Sequence, residues 1–412
     1  MNVLYNFSIY LYGFAIYCAS LFNPKAKLWL AGRRNWKNSL SKFDKNNELI
    51  WFHCASLGEF DQGLPVMREI KRVNPKCSIL VTFFSPSGML HYSKRNHCAD
   101  YFHYLPLDTA QNAKYFIDYF SPSKIYFVKY EFWVNFINVA ANKGIPIYSI
   151  SANFRSNQHF FKWYGSFFRK MLNQFDYFFV QTDESKSLLN SIGLQNVEVI
   201  GDTRIDQVIN TKNEFIQTIE SGEIDDAFVH LNSFLNGQKA IILGSSWPVE
   251  EKIILPFLLN SPNTKFIFAP HDISEKHISY LQKLLIGKSV RFTQLMHEKE
   301  NKQCLILDTI GHLTKAYYFG ELAIVGGGFT GKLHNILEPA VFGLPVLFGP
   351  HHQRFPEASL FLENNIAFQF RNELELQEII TKIQFEDNRS KIERMVHSLA
   401  GASARIIELA KS

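Results

Sequence analysis

LIWFHCASLGEF, residues 49–60, opens on an apolar, aromatic run (49–55), turns at Ser56-Leu57-Gly58, and passes into an amphipathic stretch of helical length over 60–72. An apolar run without polar alternation predicts a strand buried on both faces, the habit of parallel sheets covered by helices on each side. The same unit recurs along the chain. SILVTFF (78–84), KIYFVKY (124–130), PIYSISA (146–152), YFFVQT (177–182) and VEVIG (197–201) read as further strands, with helices expected over 110–119, 131–143 and 183–192. From Asp202 to Gln238 the chain is polar and has no strand-like run. The alternation resumes with KAIILGSS (239–246), TKFIFAPH (264–271), CLILDT (304–309), LAIVGGG (322–328) and PVLFGP (345–350). The pattern predicts an α/β protein of two doubly wound domains, with ligands at the carboxyl ends of the strands, in the cleft between the domains.

The expected organisation is an N-terminal anchoring or interfacial helix in 1–24, a first Rossmann-like domain in 25–204, a linker in 205–238 and a second such domain in 239–412. The last helix-like stretch, 387–411, is expected to pack on either domain. The 412 residues are 46% hydrophobic and 20% charged, which excludes disordered and low-complexity classes. A net charge of +5 does not by itself indicate nucleic-acid binding. Five scattered cysteines without a CxxC pair argue against a disulfide framework or a thiolate zinc site and favour a reducing compartment. The aromatic share, 15%, is the unusual quantity. It suits a large core and also a membrane surface.

Residues 3–22 carry no charge and precede Lys25, Lys27, Arg33, Arg34 and Lys37. A cleavable signal would place the positive charge before the apolar run, and the positive-inside rule puts the bulk of the chain on the cytoplasmic side. Tyr5, Asn6, Ser8, Tyr10, Tyr12 and Tyr17 are ill-suited to lipid, so a spanning helix, an interfacial helix and a core helix all remain open. A second aromatic and basic segment, FRSNQHFFKWYGSFFRK (154–170), fits either a membrane-facing surface or a buried helix face.

Several residues can carry chemistry. Glu59 follows the first strand, where it is either a general base at the mouth of a site or the Glu of a capping box begun by Ser56. Gly326, Gly327, Gly328 and Gly331 follow another strand. There the backbone can approach a phosphate and offer N–H groups, or it can simply pack tightly. Asn335 and Glu338, one helical turn apart, can grip vicinal hydroxyls. Glu131 and Arg204 end strands: Glu131 can serve a site or be an N-terminal helix charge, and Arg204 can face developing negative charge or be a surface arginine, while Pro270 and His271, ending another strand, can serve a site or be structural. His351, His352 and Glu357 fit no specific metal-ligand spacing.

Taken in order, WFHCASLGEF, TFFSPSG (82–88), YLPLDT (104–109), Glu131 to Trp133, GDTRID (201–206), LDTIGHL (307–313) and GGGFTGKLHNILEPAVFGLPVLFGPHH (326–352) resemble the 3-deoxy-D-manno-octulosonic acid (Kdo) transferases of lipopolysaccharide synthesis. The resemblance implies a GT-B glycosyltransferase at the cytoplasmic face of the inner membrane. Such an enzyme moves Kdo from CMP-Kdo to a lipid A precursor with inversion, without a cofactor or an obligatory metal, and binds no nucleic acid. It further implies that Glu59 is the catalytic base and that Glu131 and Arg204 stabilise the transition state. The CMP contacts fall on Pro270, His271, Ile310, Gly311, His312, Asn335, Ile336, Leu337 and Glu338. Three positions depart from the family's usual residues: His271 stands for arginine, Arg204 for lysine and Ile310 for methionine. A UDP-sugar transferase or sugar-nucleotide epimerase of similar fold, and an inactive membrane-bound binding protein, are the alternatives.

Overall fold

The computed structural model describes residues 2–297, 301–383 and 385–410. Met1 and residues 411–412, included in the expected first and last segments, lie outside them. The chain divides into one compact unit of Met1–Gln207 with Leu399–Ser412 and a second of Val208–Ser398.

In the first unit seven strands form one parallel sheet: β1 (Leu49–Cys54), β2 (Ser78–Phe83), β3 (Tyr101–Tyr104), β4 (Lys124–Val128), β5 (Ile147–Ala152), β6 (Tyr177–Val180) and β7 (Val197–Val199). Their spatial order is β3-β2-β1-β4-β5-β6-β7. All six residues of β1 are buried, as the unbroken apolar run predicts. One face packs Trp51 against Phe116, Phe127 and Phe136, and the other stacks Phe52 on Tyr126 at 4.7 Å between ring centroids. Much of the aromatic surplus is therefore core.

The second unit repeats the plan with β8 (Ala240–Ser246), β9 (Lys265–Pro270), β10 (Ser289–Arg291), β11 (Cys304–Ile306), β12 (Gly320–Val325), β13 (Val346–Phe348) and β14 (Ala367–Gln369) in the order β10-β11-β9-β8-β12-β13-β14. In each sheet the chain crosses to the other side of its first strand at one place, between β1 and β4 in one unit and between β8 and β12 in the other. Doubly wound sheets open a ligand crevice at such a switch point.

Three strands had no counterpart in the sequence reading: β3, β10 and β14. Each has a neighbour on one side only, so its sequence does not need the apolar run that marks an interior strand. The stretch read as a linker is helical, with helices Thr203–Glu220 and Asp226–Leu235. The stretch read as one final helix is two, Phe385–Ser398 and Ala402–Leu409. The latter completes the first unit. Ile406 and Ile407 join the core beside Phe52 and Tyr126, and buried Asp206 accepts hydrogen bonds from the N–H of Gly401 and of Ser403, each at 2.7 Å.

The N-terminal helix Asn2–Ala19 lies on the first unit. Tyr5, Ile9, Gly13 and Ile16 face inward, spaced as one helical stripe, while Leu4, Phe7, Leu11 and Phe14 form the opposite, exposed stripe. No helix among the described residues is long and apolar enough to cross a membrane. The 154–170 segment is partly core and partly surface. Phe154 and Phe160 are buried, whereas Trp163 is 91% exposed.

Candidate functional site

Glu59 lies in the first turn of the helix Leu57–Val73, directly after β1 and beside the switch point. Its carboxylate accepts the Ser56 N–H at 3.1 Å, so it does cap its helix. Burial and, next, the negative charge of Glu131 push its carboxyl up to about 7, against the opposing pull of Lys129 and two backbone N–H groups. The helix cap thus coexists with a carboxyl raised into the neutral range.

Glu131 follows β4, the strand across the switch point, and its neighbours fix it in place. The Trp133 indole N–H lies 3.1 Å from the Glu131 carboxylate and 3.0 Å from His53 Nε2. Since Nε2 accepts from the indole, the His53 proton sits on Nδ1 and is donated to Thr82 Oγ1 at 2.8 Å. His53 is fully buried on β1. Trp133 also stacks on Phe84 at 4.6 Å, and Phe84 and Trp29 enclose the buried guanidinium of Arg33. Lys129, between β4 and Glu131, holds φ at 63°, in the left-handed region that side-chain-bearing residues seldom occupy. Such strain concentrates at functional sites.

The N-terminal helix reaches the same loop. Tyr5 donates to Asp108 Oδ2 at 2.6 Å, and the buried Asp108 carboxylate also takes the N–H groups of Asn135 and Phe136, each at 3.1 Å. Asp108 thereby closes the start of the helix Val134–Asn142, whose first residue comes three positions after Glu131. Its own carboxyl is pushed up to about 6, chiefly by burial.

Arg204 opens the helix Thr203–Glu220 and forks onto Asp202, with Nε 2.9 Å and an Nη nitrogen 2.5 Å from Oδ2. Much of its charge is therefore balanced within its own turn. The adjacent Thr203 hydroxyl donates to the carbonyl of Gln62 at 2.7 Å, which ties this helix to the one that carries Glu59.

In the second unit the glycine-rich turn after β12 is a packing device as well as an approach. The N–H of Gly326 is taken by the Gly244 carbonyl and that of Gly327 by the buried Glu250 carboxylate, each at 2.9 Å. The expectation that the run offers its N–H groups to a phosphate is corrected for these two residues. A Cβ on Gly326 would stand 2.1 Å from the Ser245 carbonyl oxygen, so close strand packing is what requires glycine there. Beside this turn Trp247 stacks on His271 at 4.9 Å, and His271 lies 4.7 Å from His334. Trp247 donates to His334 Nε2 at 3.3 Å, and burial holds His334 down to about 4. Asn335 donates to Glu338 at 3.1 Å while its carbonyl caps the Leu337 N–H, so the two act as one polar unit. The side chains of Ile336 and Leu337 are wholly buried, which leaves only their backbone for a ligand. Pro270 ends β9 and is buried, whereas His271 is exposed. Ile310, Gly311 and His312 follow β11, with Ile310 78% exposed, Gly311 at φ 100° and the His312 ring 4.9 Å from Phe292.

His53, Trp133, Lys129 and Trp247 escaped the sequence reading as site residues. Only the position of Lys129 and Trp247 at strand ends could have signalled them, because the His53–Trp133 contact joins residues 80 apart.

Two doubly wound units, each with polar side chains beside its switch point, define a protein of the GT-B class. A family model described as 3-deoxy-D-manno-octulosonic-acid transferase matches residues 32–207. A 3-deoxy-D-manno-octulosonic acid transferase of Aquifex aeolicus is 27% identical over 355 residues, covering 85% of this chain and 90% of the relative. One of Haemophilus influenzae is 26% identical, covering 75% and 72%. Over most of its length the chain is thus similar to Kdo transferases. Among solved structures, UDP-GlcNAc 2-epimerase of Neisseria meningitidis superposes with a TM-score of 0.64 at 18% identity, covering 89% of this chain and all of that one. MurG of Acinetobacter baumannii gives 0.53 at 12%, covering 88% and 98%. At such identities the likeness is one of fold.

Proposed function

We propose that the protein transfers Kdo from CMP-Kdo to a lipid A precursor, with inversion and without an obligatory metal, at the cytoplasmic face of the inner membrane. The observation that carries this reading is Glu59, a carboxylate at the switch point whose carboxyl is held at about 7 beside Glu131. A general base works best when its pKa lies near the working pH. The acceptor hydroxyl loses its proton to Glu59 as its oxygen attacks the anomeric carbon of Kdo, and the bond from that carbon to the CMP phosphate breaks with its electron pair leaving on the phosphate. Glu131, oriented by Trp133, stabilises the positive charge that develops on the sugar. Arg204 balances Asp202 and contributes its remaining field to the leaving phosphate. Asn335 and Glu338 grip the ribose, and the Trp247–His271–His334 stack supports the nucleotide. His271 supplies a weaker hold on phosphate than the bidentate fork of an arginine would.

The membrane part of the reading is supported by the exposed stripe Leu4, Phe7, Leu11 and Phe14, followed by Lys25 and Lys27. A helix with one face packed on the protein and the other apolar and exposed suits the interface of an anionic bilayer. The epimerase alternative keeps the fold and changes the nucleotide. Thermal unfolding with CMP and with UDP separates them: CMP is expected to raise the melting temperature and UDP to leave it unchanged. Protection by UDP alone would reject the proposal.

A further inference from the structure

A cavity of about 350 Å³ opens in the second unit between the glycine-rich turn, through Phe329, Thr330 and Gly331, and the loop after β13, through His351, Gln353 and Arg354. Its volume falls in the range of small-molecule sites. The two walls are locked together. His351 N–H donates to the Gly328 carbonyl at 2.7 Å, and a Cβ on Gly328 would stand 2.4 Å from Gly349 N. A Cβ on Gly349 would in turn meet the Phe329 ring at 2.6 Å. The cavity is therefore shaped by backbone that has little freedom to move, a preorganised seat.

Its lining is electrically one-sided. Arg354 and His351 are exposed at the rim, no carboxylate is among the six lining residues, and among the described residues none pairs with Arg354. A guanidinium with its fork unoccupied, beside a hydroxyl (Thr330), an amide (Gln353) and an imidazole, is matched by a planar anion that carries hydroxyls. The position matters as well. The turn that forms one wall runs on within a few residues through Lys332 and His334 to Asn335 and Glu338, so the cavity and that polar pair are built on one continuous segment.

We propose that this cavity seats the sugar of the donor and that Arg354 binds its carboxylate. The inference rests on the reading of the protein as a transferase that uses CMP-Kdo. The ligand class is a nucleotide-activated acidic sugar with a carboxylate on the anomeric carbon. A phosphate-binding nucleotide site does not distinguish such a donor from a neutral sugar nucleotide. A guanidinium within reach of the sugar does, because it gains an ion pair with an acidic sugar and none with a neutral one.

The test uses the full chain with Arg354→Gln and Arg354→Lys. It measures KM and kcat with CMP-Kdo, the Kd of CMP alone by calorimetry, and the melting temperature. Arg354→Gln is expected to raise KM for CMP-Kdo at least tenfold while the Kd of CMP and the melting temperature stay as in the wild type, and Arg354→Lys to recover part of the loss. An unchanged KM would overturn the proposal, and so would an equal weakening of CMP, which would assign Arg354 to the nucleotide. Wild-type protein that fails to turn over CMP-Kdo would overturn the functional reading and this proposal with it. Active wild type with an unaffected Arg354→Gln variant would remove this proposal alone.

Discussion

Glu59→Gln separates the helix cap that Glu59 provides from the base role proposed for it. The amide keeps an oxygen for the Ser56 N–H, so the helix cap survives, while the ionisable group is lost. Holding a carboxyl at about 7 instead of 4.5 disfavours its ionised form in the folded protein by about 3 kcal/mol. Because the folded-state value is raised, the associated stability is fully present below pH 4.5 and is lost as the pH rises through about 7. The glutamine variant lacks this loss. It should match the wild type at low pH and exceed it above pH 7 by up to about 3 kcal/mol, read from urea unfolding across the pH range. Catalysis moves in the opposite direction. The wild-type kcat/KM should climb with pH to a plateau above about 7, as the base ionises, and the variant should lose both this limb and about 10²- to 10⁴-fold in rate, with CMP affinity nearly unchanged. A variant that transfers within tenfold of the wild type, or one that keeps the pH limb, would refute the assignment of Glu59 as base. Loss of CMP binding together with activity would make Glu59 structural.

Other consequences are equally open to measurement. Tyr5→Phe removes one of the donors to buried Asp108 and is expected to cost about 1.5 to 3 kcal/mol in chemical denaturation, the loss growing above about pH 6 as Asp108 ionises. A cost below about 0.5 kcal/mol would mean that the helix Asn2–Ala19 docks without help from the Tyr5 hydroxyl, by its apolar contacts and the Asn6–Asn135 hydrogen bond. Glu338→Ala should chiefly raise KM for CMP-Kdo by removing half of the Asn335–Glu338 pair, and an unaltered KM would contradict ribose binding. Replacing Phe7 and Phe14 together by Glu should abolish co-sedimentation with anionic vesicles while leaving the melting temperature unchanged, because both side chains are exposed. Vesicle binding that survives this change would place the membrane contact elsewhere.

The interior of each sheet was legible because β1, β2, β8 and β9 are buried on both faces over most of their length and announce themselves as largely apolar runs. The edges were not. Tyr101–Tyr104, Ser289–Arg291 and Ala367–Gln369 are short, and pairing on one side imposes little pattern. In the site, the position of Glu59 after the first strand could be read, and the helix cap foreseen there is present, while its role as base is the proposal made above. The glycine run was recognisable as special, yet which N–H groups it leaves for a ligand depends on Gly244 and Glu250, some 80 residues away. The buried relay from Thr82 through His53 to Trp133 had no local signal at all, since strand order alone brings its members together. Polar residues in a doubly wound sheet acquire meaning from the strands they end, and the order of those strands is fixed by packing over the whole unit.

The central claim is the transfer reaction, and its most direct measurement is incubation of the purified protein with CMP-Kdo, generated in situ, and a tetraacylated lipid A precursor, followed by mass analysis of the lipid. The account predicts a product heavier than the acceptor by one or more Kdo residues, with CMP released and no product from Glu59→Gln. A lipid of unchanged mass with wild-type protein, together with turnover of a UDP-sugar, would contradict it.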